Sequence, residues 1–328
     1  MNMMKAGVKG TGIYVPPKVL TNDDLVEMGL DTSDEWIRTK TGMQQRHIVE
    51  DDVCTSDLAA KAGEVALKDA GVAPEDVDML ILATSSPDVI LSSTAAITQA
   101  KIGCNDSGAF DVNSVCCGFA YAFDIGSRMV LDPHMENVLV IGAEVYSKIL
   151  NWEDRTTCIY FGDGAGATLL QKTDEGGVLG SYLKADGKGA KVIEIPAGGT
   201  KMPITKEILG TGLEYFHMDG RAVWNFATEK FPEAIREVVK RSGLKVDDVD
   251  WVIPHQSNSV MIKQCMENLG LPYEKAYVNL EKYANCAGAS IPMAIHEAAK
   301  DGSLEKGDIV ATVGYGGGLS WASNLIEW

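Results

Sequence analysis

Positive charge is in short supply in this 328-residue chain: 29 Lys and Arg stand against 46 Asp and Glu, a formal net charge of −17. That balance disfavours nucleic acid and anionic membrane as partners. Long apolar runs are missing too. No stretch approaches the ~20 residues of a membrane span. The opening segment, Met1 to Gly7, carries no apolar run of signal-peptide length, so the chain is expected in the cytoplasm. Cysteine is sparse. The seven cysteines, odd in number and irregularly spaced, form neither a disulfide framework nor a paired metal-ligand pattern, and reduced thiols are expected. Aromatic residues make up 7% and apolar residues 45%, ordinary values for a soluble globular protein. The length exceeds one typical core and suggests two domains.

A repeat organises what is present. The segment Lys68–Leu82 resembles Lys240–Pro254, with Gly71 matching Gly243 and Asp78 matching Asp250 at one offset of 172 residues. The run Val138–Gly142 meets Val310–Gly314 at the same offset. Two similar halves follow, 1–172 and 173–328, divided in the polar stretch Lys172–Gly177. In the first half the spacing predicts helices over Ser56–Asp69, stopped at Gly71, and over Leu91–Ile102. Asp78–Thr84 and Val138–Gly142 read as strands buried on both faces, Gly108–Val112 and Ala167–Gln171 as further strands. The second half predicts helices over Arg221–Ser242 and Gly288–Lys300 and strands over Val249–Ile253 and Ile309–Val313, with an irregular flap over Lys201–Met218. Strands alternating with helices give an α/β fold with helices on both sheet faces.

The stretch Asp111–Ala122 turns from strand to helix at Cys116, with Phe119, Ala120, Phe123 and Met129 at helical spacing and no charge between Asp111 and Asp124. A helix of this kind runs through the interior. A thiol on its first turn faces unpaired N–H groups and the positive helix end, which favours thiolate. Either Cys116 or Cys117 fits this position, and both also fit a packing role. Strand ends elsewhere present His255 after Val249–Ile253, the glycine turn Gly314–Gly318 after Ile309–Val313, and Asn285 in the loop opposite the cysteine loop across the pseudo-twofold. Each has an ordinary structural use: a hydrogen-bonded core histidine, a helix cap, a tight turn. As a set at converging strand ends, nucleophile, acid/base and amide donor meet the requirements of acyl transfer.

These motifs resemble those of β-ketoacyl-acyl-carrier-protein synthase III, within the thiolase-like condensing-enzyme superfamily. The similarity runs through Gly10–Pro16, Thr32–Ile37, Thr41–His47, the Cys116 stretch, Phe161–Gly166, Pro254–Gln256, Tyr283–Asn285 and Gly316–Gly318. Thiolases carry a second cysteine in the last loop, which is absent here. The elongating synthases use two histidines, where this chain offers His255 and Asn285. Chalcone-type synthases lack the Thr32–Ile37 pattern. The resemblance implies a duplicated five-layer α-β-α-β-α fold. It assigns the nucleophile to Cys116, an oxyanion hole to the N–H groups of Cys116 and Gly317, and hydrogen-bond donation to an enolate to His255 Nε2 and the Asn285 amide. It places coenzyme A against Trp36, with Thr32, Lys40, Arg155 and Asn258 as further binding positions. The implied partners are acyl-CoA, a malonyl thioester and acyl carrier protein, in a homodimer that uses no metal or cofactor.

The sequence departs from the family pattern in several places. Lys40 replaces an arginine, keeping charge and losing a bidentate fork. Leu91-Ser92 replaces Phe-Pro in the loop that the partner subunit is expected to contribute to the primer pocket, so a larger pocket is expected. Asn225 and Val260 occupy two positions that are commonly basic, which predicts weak carrier-protein docking unless Lys230 and Lys263 compensate. Two other readings share these residues: an acyltransferase that moves the Cys116-bound acyl group to an alcohol or amine, and a non-catalytic acyl-CoA-binding paralogue.

Overall fold

The computed structural model describes residues 4–328; Met1, Met3 and the residue between them, part of the segment read for a signal peptide, lie outside the described residues. The chain begins with β1 (Lys5–Tyr14), a small hairpin of β2 (Lys18–Thr21) and β3 (Gln45–Ile48) enclosing α1 (Asn22–Glu27) and α2 (Asp34–Thr41), and then α3 (Thr55–Ala70). It continues with β4 (Met79–Ala83), α4 (Thr94–Ile102), β5 (Gly108–Val112), α5 (Gly118–Met129), β6 (Val138–Glu144) and β7 (Gly164–Thr173). The second half supplies β8 (Gly177–Ala185), the short β9 (Ile193–Glu194) and β10 (His217–Met218), α6 (Gly220–Arg241), β11 (Trp251–Pro254) and α7 (Ser259–Leu269). It ends with α8 (Leu280–Tyr283), α9 (Ser290–Lys300), β12 (Ile309–Gly316) and β13 (Ser320–Glu327).

Two sheets carry the repeat. One has strand order β1-β7-β6-β4-β5 and the other β11-β12-β13-β8. In the first, β4 runs parallel to β5 and β6, while β6–β7 and β7–β1 are antiparallel. The second repeats this arrangement: β11 is parallel to β12, and β12–β13 and β13–β8 are antiparallel. Helices α3 and α4 cover the outside of the first sheet, α6 the outside of the second with α7 packed on it, and α5 and α9 lie between the sheets. These are the five layers.

The apolar run of β4 shows why a strand with two buried faces needs continuous hydrophobicity. Successive side chains point to opposite faces. Leu80 and Leu82 join the cluster that holds Leu58, Ala62 and Ala66 of α3, whereas Ile81 and Ala83 join Phe119 and Phe123 of α5. Burying each such large side chain contributes roughly 1.5–3 kcal/mol. Helix α3 stops at Gly71, which has a left-handed φ of 68°, as its position in the sequence predicts.

Several boundaries differ from the periodicity. The helix expected from Leu91 starts at Thr94, because Ser93 caps it by accepting from the Ala96 N–H. The strand expected over Ala167–Gln171 extends over Gly164–Thr173 and pairs along β1 as well as β6. The helix expected from Cys116 starts at Gly118, after a 3-10 turn over Val115–Cys117, and the one expected from Gly288 starts at Ser290, after a 3-10 turn over Ala287–Ala289. The Lys201–Met218 stretch is irregular until β10 pairs with β9. No helix among the described residues is long and apolar enough to cross a membrane, and all seven cysteines are free.

Candidate active site

The two 3-10 turns face each other at the pseudo-twofold. Val115 has φ +49° and Ala287, at the repeat offset of 172 residues, has φ +41°. A positive φ at a β-branched residue is a backbone outlier, and such strain tends to persist where surrounding structure over-determines it. The turns set Cys116 and Asn285 on one cavity of about 400 Å³, together with His255.

Tertiary position separates the two adjacent thiols. Cys116 lines the cavity. Cys117 points away, its Sγ 3.4 Å from the Gly314 carbonyl oxygen. The close approach of β12 explains the glycine turn: a Cβ at Gly316 would lie 2.8 Å from Cys116 Cβ and 3.3 Å from its Sγ. Gly316 lines the cavity, whereas a Cβ at Gly317 would meet Val115 and Ile193. The sequence reading places the oxyanion N–H at Gly317, within the Gly316–Gly318 motif; the structure adds that Gly316 is the glycine packed against Cys116.

The helix end favours thiolate, and burial acts against it. Burial pushes the Cys116 thiol well above the ordinary cysteine range, and the nearby Glu144 carboxyl adds to the shift. Burial is the largest of these effects, and a hydrogen bond from the Cys116 backbone opposes it.

His255 follows β11, and its N–H donates to the Val313 carbonyl at 2.8 Å. Burial lowers its pKa to about 3, opposed by a contact with the Ala287 backbone, so the imidazole is neutral at physiological pH. Its Nδ1 lies 2.8 Å from Ser290 Oγ. Ser290 Oγ is also 2.8 Å from the Ala287 carbonyl, tying the His255 ring to the turn beside Asn285. Asn285 Oδ1 accepts from the Ala287 N–H at 2.8 Å. Its carbonyl end is thereby engaged, which leaves the NH2 end as the group able to donate to a ligand.

Glu144, at the end of β6, joins the loops. Its carboxyl accepts from Ser85 N–H and Oγ–H and from Ser86 N–H and Oγ–H. Burial raises its pKa to about 7, opposed by those donors and the Gly288 N–H. Nothing in its local sequence marks it beyond its place at a strand end. Farther out, Arg46 is fully buried and donates to Asn22 Oδ1 at 2.8 Å and to the Ile159 carbonyl at 2.7 Å, anchoring the hairpin to the segment that presents Tyr160 and Phe161 to the cavity.

The predicted coenzyme A positions are only partly gathered. Trp36, Lys40 and Asn258 line the cavity. Asn258 also caps α7, its Oδ1 accepting from the Met261 N–H at 2.7 Å, which leaves its NH2 end for a ligand. The Arg155 guanidinium sits 5.4 Å from the Trp36 ring centroid, held near the Asp31 carboxylate at 3.6 Å, outside the cavity lining. Thr32 Oγ1 is a buried oxygen with no partner among the described residues. Leu91 lies away from the cavity and is 96% exposed, beside Ile90 at 88%.

Two pseudo-symmetric halves with a thiol, an imidazole and an amide at their junction define a thiolase-like condensing-enzyme architecture. Family models for 3-oxoacyl-[acyl-carrier-protein] synthase III match residues 110–187, and that for its C-terminal part matches 239–328. The chain is 48% identical over 324 residues to the beta-ketoacyl-[acyl-carrier-protein] synthase III of Caldanaerobacter subterraneus subsp. tengcongensis, covering 98% of each chain. It superposes on the 3-oxoacyl-[acyl-carrier-protein] synthase III structure from Aquifex aeolicus with a TM-score of 0.90 and 38% identity, covering 99% of this chain and 100% of the other. The corresponding structure from Pseudomonas aeruginosa gives 0.91 at 34% identity, covering 99% and 98%. The chain belongs to the 3-oxoacyl-[acyl-carrier-protein] synthase III family.

Proposed function

We propose that this enzyme condenses an acyl-CoA primer with malonyl-acyl carrier protein to give a 3-oxoacyl thioester, starting fatty-acid or related acyl-chain synthesis. The observation that carries this reading is the meeting of Cys116, His255 and Asn285 on one cavity, with the Asn285 carbonyl oxygen already engaged by the Ala287 N–H. In the first step Cys116 Sγ bonds to the primer carbonyl carbon, the bond to the coenzyme A sulfur breaks, and the thiol proton leaves with coenzyme A. Backbone N–H groups of Cys116 and the glycine turn at Gly316–Gly317 serve the developing oxyanion. In the second step the malonyl group loses carbon dioxide, and the electron pair of the broken bond becomes an enolate whose oxygen His255 and Asn285 address. The enolate carbon bonds to the acyl carbonyl carbon, the carbon–sulfur bond to Cys116 breaks, and the departing thiolate takes up one proton from solvent. No resident metal or cofactor enters these steps.

Trp36, Lys40 and Asn258 serve the coenzyme A arm, with Thr32 and Arg155 flanking it. The exposed apolar loop around Ile90 and Leu91 supports a homodimer in which a second copy covers it, and the chemistry fits a reducing cytoplasm. The test is intact-mass spectrometry after incubation with a mixed acyl-CoA pool, followed by malonyl-acyl carrier protein and measurement of carbon dioxide. The parent and Cys117→Ala are expected to acquire one acyl group and then release carbon dioxide, and Cys116→Ala to do neither. Equal loss of the adduct in both folded variants would remove Cys116 from this role. Acylation without carbon dioxide release would replace condensation by simple acyl transfer.

A further inference from the structure

Two hydroxyl side chains on the cavity wall have no part in the steps above. Tyr315, near the end of β12, is 2% exposed. Its ring meets the His255 ring edge-on, with centroids 5.3 Å apart and planes at 77°. Its hydroxyl lies 2.7 Å from Ser257 Oγ. Ser257 sits two residues after His255 and donates its N–H to the His255 carbonyl at 2.9 Å. Its Oγ is 3.6 Å from Met261 Sδ. Both residues line the same cavity as Cys116, and Phe231 backs the Tyr315 ring at 5.9 Å.

Physical chemistry makes this an unusual wall. A phenol beside a neutral imidazole in a buried cavity has a strong donor that must find a partner. If it turned inward, it would compete for the ring nitrogen of His255 or for the thioester oxygen. Ser257 removes that choice by engaging the hydroxyl at 2.7 Å, so the phenol bonds to Ser257 and not to the imidazole. The His255 ring is then constrained on two sides, by Ser290 at Nδ1 and by the Tyr315 edge. Nε2 remains the nitrogen available to a substrate.

We propose that Ser257 and Tyr315 are positioning residues that act as one unit, fixing the orientation of His255 for the condensation step and keeping the phenol hydroxyl engaged away from the imidazole. This rests on the condensing function proposed above. The unit has a distinctive energetic signature. Removing one partner of a buried hydrogen bond strands the other, whereas removing both leaves nothing unsatisfied.

The experiment is a double-mutant cycle on the full chain: parent, Ser257→Ala, Tyr315→Phe and the double variant, with Ser257→Thr as a hydroxyl-retaining control. Acetyl-CoA acylation of Cys116 is read by intact mass, condensation by carbon dioxide release from malonyl-acyl carrier protein, and the His255 ring by its proton NMR resonance. Ser257→Ala is expected to lower the condensation kcat about tenfold, because the freed phenol is left unsatisfied beside the imidazole. Acylation should fall by less than about threefold, on the same scale. The double variant should recover most of the lost rate and return the displaced His255 resonance towards its parent position, a non-additive result expected of contacting residues. Ser257→Thr should stay closer to the parent than Ser257→Ala. Independent losses that multiply in the double variant, or equal losses in acylation and condensation, would overturn the proposal. If the parent itself fails to acylate, the condensing function fails, while the His255 resonance still reports whether Ser257 and Tyr315 act as a unit; unchanged resonances in every variant overturn the proposal on its own terms.

Discussion

Burial moves the Cys116 thiol upward and the His255 imidazole downward to about 3, and both shifts oppose a thiolate–imidazolium pair. At neutral pH both shifts favour a thiol beside a neutral imidazole. Since the thiol is shifted up, its thiolate fraction at neutral pH lies below that of a free cysteine and grows with pH. Iodoacetamide labelling of Cys116, mapped by peptide mass spectrometry, should accelerate by about tenfold per pH unit from about pH 6 to about 9. A rate plateau around neutrality would indicate a preformed ion pair instead. The His255 shift also bears on stability. An unfolded histidine binds its proton below about 6.5, while the folded one resists it down to about 3. The contribution of this residue is thus intact above about 6.5 and is lost as pH falls through that window.

At the scale of elements, the site depends on layers that approach without side chains between them. A Cβ at Gly166 of β7 would lie 2.4 Å from the Met293 nitrogen and 2.6 Å from the Pro292 carbonyl carbon of α9. Those obstacles are backbone atoms, so the layer spacing itself must change. Gly166→Ala should cost about 1–3 kcal/mol, the usual price of overpacking, read as a lower urea midpoint with an unchanged slope. The loop between β4 and α4 has the opposite character, with Leu91 and Ile90 almost fully exposed in the single chain. If a second copy places Leu91 in the primer pocket, Leu91→Phe should shift relative kcat/KM towards acetyl-CoA and away from longer or branched primers. Unchanged ratios across chain lengths would exclude the loop from primer selection.

For the whole molecule, net charge governs the encounter with an acidic carrier protein. The net charge of −17 leaves docking to local basic groups, and the structure reduces their number. Lys230, expected from sequence to compensate for Asn225, pairs with Glu233 at 2.7 Å and Glu229 at 3.0 Å and lies over the Trp321 ring. Its charge is already spent within the fold. Lys263 is exposed on α7, one turn from Val260, which is itself 43% exposed and lines the cavity. The ratio of kcat/KM for malonyl-acyl carrier protein over malonyl-CoA should therefore be modest and fall only gently with added salt. A large ratio that collapses with salt would reveal a basic docking surface beyond these positions.

The 172-residue repeat, the buried strands and the residue types Cys, His and Asn at strand ends belong to the sequence alone, because periodicity and self-similarity encode how each segment must be buried and where the chain must turn. Even the strained turns obey that offset, with Val115 and Ala287 both at positive φ. Other properties required the three-dimensional neighbours. Cys116 and Cys117 are adjacent and chemically alike, and only the facing of the turn sends one to the cavity and the other to the Gly314 carbonyl. Sequence position suggested a thiolate through the helix end, but burial in the tertiary structure, with the nearby Glu144 carboxyl adding to it, pushes the thiol the other way. Ser290 and the Ser257–Tyr315 pair stay hidden in one dimension for the same reason. Their roles lie in contacts between halves or across the β11–β12 edge, and the strength of a buried polar contact depends on what surrounds it in space, not on its neighbours along the chain.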